Sequence, residues 1–463
     1  MKPVLLIDFG STYTKLTAVD MESESLMGTA QAYTTVQTDI NEGLKQGIAL
    51  LQNETGPLAF QETYACSSAA GGLRMITVGL VPDLTSKAAK MASLGAGAKM
   101  LKVYSFELTE EDVEEIGEAR PDIILLVGGT DGGNTECILH NSKMLAALPR
   151  SHPIIIAGNR SAAKQCAKNL EGFETFVCEN VMPRLGTLNI GPAQNCIREL
   201  FLRRIVQAKG LSEASELLTE IIMPTPAAVM QAVELLAGGC EGEKGIGELV
   251  AVDVGGATTD VYSIAAGLPA SDMTFYKGLP EPYAKRTVEG DIGMRYSIHG
   301  ILEAAGTERI CGLSGLPGER VKALTDHLAR NTDIVPDGNE ELESLDYALA
   351  SMAIETAVAR HAGTLEETYT VLGKAYVQQG KDLREVSQII VTGGSLIHTK
   401  RTGEIASHAL YSTADPMSLR PKAADIRVDR HYILAAMGLL STRYPKTALR
   451  IMKKEFEKYG HSE

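Results

Sequence analysis

Two short stretches of the sequence combine an aspartate with glycine and small hydroxyl residues in the same order. The first, VLLIDFGSTYTKLTAV, begins at Val4, and the second, ELVAVDVGGATTDVYS, begins at Glu248. In each, an apolar run ends in an aspartate, Asp8 or Asp253, and a second strand-like run follows the turn. The backbone N–H groups of a glycine-bearing turn can converge on an anion, and Ser and Thr hydroxyls add donors without bulk. Each stretch is therefore suited to bind phosphate.

The two aspartates are suited to a metal ion rather than to the phosphate itself. Like charges repel, whereas Mg²⁺ uses few carboxylates and keeps several water ligands. Asp8 and Asp253 are therefore the predicted catalytic carboxylates, and each is expected to hold Mg²⁺ through water. Two such corners facing each other would hold a β/γ-phosphate pair and its metal from both sides, which would explain why the motif occurs twice.

The remaining predicted phosphate ligands are turn residues, namely Gly10, Ser11 and Thr12 in the first corner and Gly255, Gly256, Thr258 and Thr259 in the second. Either corner alone could equally be a tight hairpin with an aspartate at its strand end, because short motifs also occur by chance. The occurrence of both favours phosphate binding. The sequence contains neither G-x-x-x-x-G-K-[ST] nor a G-x-G-x-x-G after a strand, which argues against a P-loop or a Rossmann site.

The composition bounds the class of protein. A chain of 463 residues is too long for one ordinary core, and its 44% hydrophobic and 22% charged residues are typical of globular domains. The formal net charge of −14 argues against nucleic-acid binding, which requires Lys and Arg at the phosphates. Seven widely spaced cysteines without C-x-x-C favour free thiols in a reducing cytosol. Without a signal-like N-terminus or an apolar run of ~18 residues, we expect a cytoplasmic protein with no membrane partner.

The segments that would position the corners alternate between strand-like and helical patterns. Apolar runs ending in glycine, such as IILLVGGTDGG at 123–133 and QIIVTGGS at 388–395, are separated by segments of helical periodicity. This alternation indicates an α/β protein with ligands at the carboxyl ends of its strands. After Asp8, however, the pattern continues as a returning strand, so residues 10–12 are predicted to form a hairpin turn.

The order of these patterns predicts how the chain is divided. The expected segments are a first-lobe core with the first hairpin at 1–65, an inserted α/β subdomain at 66–180, a helical bridge and connecting helix at 181–245, a second lobe at 246–430 and a C-terminal connecting helix at 431–463.

The corners resemble the phosphate motifs of the actin-like ATPase superfamily, which includes heat-shock-70 chaperones, sugar kinases and actin. IDFGSTYTKLTAV resembles the first motif, which adds Lys15 to the nucleotide ligands, and VDVGGATTDV resembles the second. IIVTGGSLI resembles the adenosine motif, with Gly393, Gly394 and Ser395 close to the base and ribose. The resemblance implies a two-lobe, ribonuclease H-like fold that holds ATP and Mg²⁺ in the cleft, with residues 66–180 as an addition to the first lobe.

One position departs from the chaperone pattern. Where the heat-shock-70 chaperones have a glutamate before the Pro-Thr of the first connecting helix, this chain has Met223, which cannot orient an attacking water. We therefore expect a slow ATPase, or a base from elsewhere. Glu289 and Asp291 are candidates for that base, and a salt-bridged turn is an equally good interpretation of both.

A closer resemblance extends over nearly the whole chain. DFGSTYTKLTAVD, CSSAAGGLRM, LLVGGTDGGN, VMPRLGTLNIGPA and TVEGDIGMR together resemble the MutL/GlmL family, whose members accompany adenosylcobalamin-dependent mutases such as glutamate mutase and are unrelated to the mismatch-repair protein of the same name. The family implies a chaperone-like factor that uses ATP to exchange inactivated cobalamin on a mutase. A small-molecule kinase of the same superfamily and a nucleotide-dependent, actin-like scaffold are the alternatives.

Overall fold

The computed structural model describes residues 2–10, 13–34, 40–68, 73–208, 220–371 and 373–458. Two of the predicted phosphate ligands, Ser11 and Thr12, lie outside these ranges. The chain folds into two compact units. The first comprises Met1–Ala232 and Ala435–Ala448, and the second comprises Val233–Leu434 and Leu449–Glu463.

The strands are β1 Pro3–Phe9, β2 Tyr13–Asp20, β3 Ser25–Tyr33, β4 Glu62–Ser67, β5 Arg74–Gly79, β6 Lys99–Ser105, β7 Ile123–Leu126, β8 Ile154–Ile156, β9 Thr175–Val177, β10 Glu220–Pro224, β11 Gly239–Cys240, β12 Glu243–Lys244, β13 Leu249–Val254, β14 Thr259–Ile264, β15 Thr274–Lys277, β16 Ala284–Glu289, β17 Thr364–Thr370, β18 Gly373–Gln379, β19 Gln388–Thr392, β20 Asp425–Val428 and β21 Glu457–Lys458.

The α-helices are α1 Ile40–Thr55, α2 Lys87–Gly95, α3 Glu110–Ala119, α4 Glu136–Leu145, α5 Arg160–Asn169, α6 Gly191–Ala208, α7 Thr225–Gly238, α8 Ile298–Ala305, α9 Thr307–Ser314, α10 Gly318–Arg330, α11 Glu340–His361, α12 Gly394–Ile397, α13 Thr402–Ser407, α14 Leu434–Ser441 and α15 Pro445–Glu455. A π-helical turn, Pro82–Ser86, precedes α2. Among the described helices, none combines the length and apolarity needed to cross a bilayer.

The main sheets of the two units share one arrangement of strands. In the first unit the order is β3-β2-β1-β4-β10, and in the second it is β16-β14-β13-β19-β20, extended by β21. In each set of five, the first three strands pair with their neighbours in antiparallel fashion. The fourth and fifth strands run parallel to the third, which is β1 or β13. The central strand β1 is buried along its whole length, as its continuous apolar run requires. This duplicated order is that of the ribonuclease H-like lobes of actin-like ATPases, so the predicted fold class is confirmed.

An additional α/β layer is inserted into the first unit. Strands β5 to β9 form a separate sheet of order β6-β5-β7-β8-β9, in which every neighbouring pair is parallel. Its core is formed by residues of the insertion, among them Ile76, Ile124 and Ile156. The insertion predicted from the sequence is therefore a doubly wound parallel sheet.

Helix α7 runs from the first unit into the second, and α14 runs back. Inside the first unit their backbones come into close contact, because a Cβ on Gly438 would lie 1.8 Å from the carbonyl oxygen of Ala228. Glycine is thus required at this helix contact. Both helices lie within the segments 181–245 and 431–463, which were predicted to contain the connecting helices.

Candidate functional site

The first corner is a hairpin, as predicted. Strand β1 pairs antiparallel with β2, which sets Asp8 opposite Lys15 and Phe9 opposite Thr14. The N–H of Gly10 donates to the carbonyls of Asp8 and Tyr13, at 3.0 and 3.1 Å. A Cβ at Gly10 would lie 2.4 Å from the Tyr13 carbonyl oxygen, so only glycine closes this turn.

The second corner repeats this geometry. Strand β13 pairs antiparallel with β14, which sets Asp253 opposite Asp260. The N–H of Gly255 donates to the carbonyl of Thr258 at 2.9 Å, and a Cβ at Gly255 would lie 2.9 Å from the same oxygen. Each unit therefore presents an aspartate at the end of its central strand, followed by a turn that glycine closes.

The carboxylate of Asp8 is held by two residues, one on the neighbouring strand β4 and one at the start of α7. Thr225, the first residue of α7, donates its hydroxyl to Asp8 Oδ1 at 2.5 Å, and the Cys66 thiol lies 3.5 Å from the same oxygen. Asp8 is only 7% exposed. Burial, together with the negative charge of Asp8, raises the pKa of Cys66 well above its usual value, so Cys66 is a protonated thiol that can donate.

Met223 lies in the same row of the sheet as the first corner. Across neighbouring strands, Lys15 is paired with Asp8, Asp8 with Cys66 and Cys66 with Met223. Residues in register on adjacent strands lie on the same face, so the methionine shares the face of the Asp8 carboxylate. Its side chain is apolar and 8% exposed. The position at which the chaperones have a glutamate therefore contains no group that could orient water.

The two alternative bases, Glu289 and Asp291, are both bound by Arg360. Its Nη1 lies 2.7 Å from Glu289 Oε2 and 3.0 Å from Asp291 Oδ1. These contacts explain both carboxylates as members of a salt-bridged turn, which is the interpretation that the sequence left open.

A buried arginine compensates one carboxylate of the second corner. Arg286 donates through Nε to Asp260 Oδ1 at 2.9 Å, and its second nitrogen lies 2.6 Å from the same oxygen. Thr258 Oγ1 donates to Asp260 Oδ2 at 3.3 Å. Asp260 is thus engaged inside the unit. Asp253 is partly exposed and lies near the end of β13, before the turn.

The segment after β16, residues 290–295, is hydrogen-bonded to the second corner. The buried Thr259 hydroxyl donates to the carbonyl of Ile292, and the amides of Met294 and Arg295 donate to the carbonyls of Gly255 and Gly256. The Thr259 side chain therefore holds this segment in place. Gly293 is required here as well, because a Cβ would lie 2.3 Å from the backbone of Ala257.

The predicted adenosine segment lies against the second corner. Gly393 follows β19 with φ +114°, and a Cβ there would lie 2.3 Å from the carbonyl oxygen of Val254. Strand β19 is parallel to β13, with Thr392 opposite Asp253. Gly394 and Ser395 begin the short helix α12. The second unit therefore brings Asp253, the glycine turn and the predicted adenosine residues together at one end of its sheet.

The residues present fit Mg²⁺ better than a metal held by many side chains. Within the described ranges, no group of three His, Cys, Asp or Glu side chains is placed to hold a metal ion. Mg²⁺ needs only one or two carboxylates, because it keeps its waters. Asp8 offers such a carboxylate, with one oxygen fixed by hydrogen bonds.

Three residues of the site were missed by the sequence reasoning, namely Thr225, Cys66 and Arg286. The Pro-Thr at the start of α7 marked a helix start, but no local pattern shows that the Thr225 hydroxyl reaches Asp8. Cys66 stood at a predicted segment boundary, although it lies within β4, a strand of the main sheet. Arg286 lies in β16 and is buried, and no local pattern shows that its side chain reaches Asp260.

Comparisons with known proteins give one coherent family. A family model described as MutL protein matches residues 4–456. Protein MutL from Clostridium tetanomorphum is 48% identical over 458 residues, which is 98% of this chain and 99% of that protein.

Two solved structures with distant similarity illustrate the comparison with known folds. A ligand-bound xylulose kinase from Lactobacillus acidophilus is 10% identical, with a TM-score of 0.35 and coverage of 99% of this chain and 93% of that one. The ethanolamine utilization protein EutJ from Carboxydothermus hydrogenoformans is 11% identical, with a TM-score of 0.29 and coverage of 97% and 90%. Similarity at this level indicates no shared activity. The match to the family model and the identity with the curated relative both extend over almost the entire length, and the chain therefore belongs to the MutL family.

Proposed function

We propose that this protein is an ATP-binding accessory factor of an adenosylcobalamin-dependent mutase of the glutamate mutase or amino mutase type. In this proposal, ATP binding and hydrolysis and the accompanying lobe closure drive the exchange of inactivated cobalamin on the mutase. The observation that carries the proposal is membership of the MutL family over nearly the whole chain, combined with two aspartate–glycine corners on duplicated sheets.

Each corner has an assigned role in the proposal. Gly10, Ser11, Thr12 and Lys15 in the first corner, and Gly255, Gly256, Thr258 and Thr259 in the second, bind the phosphates through backbone and side-chain donors. Thr259 does so by its backbone, since its hydroxyl is engaged with Ile292. Asp8 and Asp253 hold the waters of Mg²⁺, which when bound neutralises phosphate charge. Gly393, Gly394 and Ser395 leave room for the adenosine.

Slow hydrolysis suits such a factor. With Met223 in the row of Asp8, no side chain at that position aligns a water, so the ATP state is long-lived. A partner that binds the ATP state and the ADP state with different affinity is then coupled to the nucleotide. The free energy of ATP can in this way be used to open the site of a tightly bound, damaged cofactor.

The test measures ATP hydrolysis by the purified protein, alone and with candidate mutases loaded with inactive cobalamin, together with the cobalamin released. Wild type is compared with Asp8→Ala, and with Asp272→Ala as a control on the surface of the second unit. We expect mutase-stimulated turnover and cobalamin release in the wild type and the control, and loss of both in Asp8→Ala.

Other outcomes separate the alternatives. ATP binding without any response to a mutase contradicts the accessory role and leaves a kinase or a scaffold, which substrate-stimulated ADP release and nucleotide-dependent sedimentation would distinguish. Absence of ATP binding contradicts the assignment of both corners.

A further inference from the structure

The hydrogen bonds around Asp8 are asymmetric between its two oxygens. Thr225 Oγ1 donates to Oδ1 at 2.5 Å, and Cys66 Sγ lies 3.5 Å from the same Oδ1. Across the described parts of the chain, both hydrogen bonds to the Asp8 carboxylate go to Oδ1, and none goes to Oδ2. One oxygen is thus fixed from inside the protein, and the other accepts no hydrogen bond from the residues that the structure describes.

The hydrogen bond from Thr225 joins the start of helix α7 to the end of strand β1. Thr225 is the first residue of α7, and its hydroxyl also lies 3.7 Å from Cys66 Sγ, so the hydroxyl, the thiol and the carboxylate form one cluster at the ends of β1 and β4. The partners Thr225 and Asp8 are 217 positions apart along the chain. Their contact restricts the rotation of the Asp8 carboxylate.

We propose that Thr225 is a positioning residue of the first corner: by holding Oδ1 it presents Oδ2 to a water of Mg²⁺. The inference rests on the proposed function, because it assigns the carboxylate it positions to the metal of a bound nucleotide. Mg²⁺ demands near-ideal octahedral geometry, so a carboxylate that rotates loses metal-water hydrogen bonds without any change in its charge. Fixing one oxygen therefore raises the affinity for Mg²⁺. It does not change the affinity for the nucleotide in the absence of the metal.

The test uses the full chain and measures ADP binding by titration calorimetry, first with EDTA and then at a series of Mg²⁺ concentrations. Thr225→Val removes the hydroxyl at nearly constant volume, Thr225→Ala removes it with less bulk, and Thr225→Ser retains it. The matched control is Thr77→Val, because the Thr77 hydroxyl is buried in the inserted sheet and has no hydrogen-bond partner among the described residues. Thermal unfolding without nucleotide records any change in the fold.

We expect the Mg²⁺ concentration that gives the half-maximal gain in ADP affinity to rise about tenfold or more in Thr225→Val and Thr225→Ala, because each loses a hydrogen bond to a charged group. Thr225→Ser should stay within about twofold of the wild type, as should Thr77→Val. ADP affinity in EDTA should be the same in all the proteins.

Two results overturn the inference alone. The first is wild-type Mg²⁺ dependence in Thr225→Val and Thr225→Ala, and the second is an equal loss in Thr225→Ser, which would mark a purely structural role. If the wild type bound no ADP at any Mg²⁺ concentration, the proposed function would fall, and the inference with it.

Discussion

Lys381 is a lysine that the fold buries completely, with 0% of its surface exposed. Its ammonium donates to the carbonyls of Pro282 and Tyr283 at 2.8 and 2.7 Å and to Ser263 Oγ at 3.3 Å. Burial is the largest cause that lowers its pKa, to about 7, and the neighbouring Lys285 lowers it further. At the residue scale, this single group makes stability depend on pH.

We predict that Lys381→Met flattens the rise of stability between pH 7 and 9. The unfolded chain, with a lysine pKa near 10.5, binds more protons in this range than the folded chain does, so the free energy of unfolding of the wild type gains a slope of up to about 1.4 kcal/mol per pH unit. Denaturant unfolding at pH 7, 8 and 9 measures this slope. Lys374→Met is the control. The hydrogen bond to Glu367 raises the pKa of Lys374, so this lysine does not titrate between pH 7 and 9. Equal slopes in wild type and Lys381→Met would contradict the prediction.

Glu355 makes the corresponding prediction at acid pH. Burial alone would raise its pKa, but hydrogen bonds from His408 and Arg309 outweigh burial and lower it to about 2. The stabilisation is present above the unfolded pKa of 4.5 and is lost as pH falls towards 2. Glu355→Gln should therefore lower the free energy of unfolding by about 1–2 kcal/mol at pH 7 and by progressively less below pH 4.5.

Denaturant unfolding at pH 7, 4 and 3 checks this prediction. Glu341→Gln, which removes an exposed ion pair with Arg320, should have a smaller effect at pH 7. A difference between wild type and Glu355→Gln that stayed constant with pH would show that packing, and not charge, is responsible.

At the scale of elements, the close contact between α7 and α14 requires a glycine, Gly438, at the point where the two backbones meet. We predict that Gly438→Ala destabilises the protein by about 1–3 kcal/mol, because its Cβ would lie 1.8 Å from the backbone oxygen of Ala228 and the helices would have to separate. Gly312→Ala in α9 is the matched control, since among the described residues no atom outside its own stretch of helix lies within 4 Å of the added Cβ. Alanine there should stabilise by about 0.5–1 kcal/mol through helix propensity. The melting temperatures of the two variants should move in opposite directions, and a common direction would contradict the contact.

At the scale of the whole molecule, separate cores predict unfolding in more than one step. The inserted sheet has its own hydrophobic cluster, and the second unit has another that includes Leu328. Cores that share few residues need not melt together, so the van't Hoff enthalpy should be smaller than the calorimetric enthalpy.

Two Leu→Ala variants assign the transitions. Leu126→Ala in the inserted sheet and Leu328→Ala in the second unit each remove a fully buried side chain, at a cost of about 2–5 kcal/mol. Each should lower the midpoint of a different calorimetric transition and leave the other nearly unchanged. If both variants shifted one single transition equally, the chain would unfold as one cooperative body.

The sequence by itself determined the features that depend only on residues close together along the chain. The alternation of strand and helix patterns predicted the α/β class, and the continuation of the pattern past Asp8 and Gly10 predicted a hairpin instead of a strand–helix turn. Strand order could be predicted only through the resemblance to a known superfamily. Both corners were visible because aspartate, glycine and hydroxyl residues stand within a few positions of one another, where the backbone alone brings them together.

Only the tertiary structure decided which distant side chains complete the corners. The hydroxyl of Thr225 reaches Asp8, Arg286 compensates Asp260, and the segment from Ile292 supports the turn at Gly255, although no local pattern links these residues. The physical reason is that burial makes an unpaired polar group costly, so each carboxylate in the core must find a donor wherever the packed sheet provides one. Which donor that is depends on strand register and helix placement, which the fold sets across hundreds of positions and which no short stretch of sequence contains.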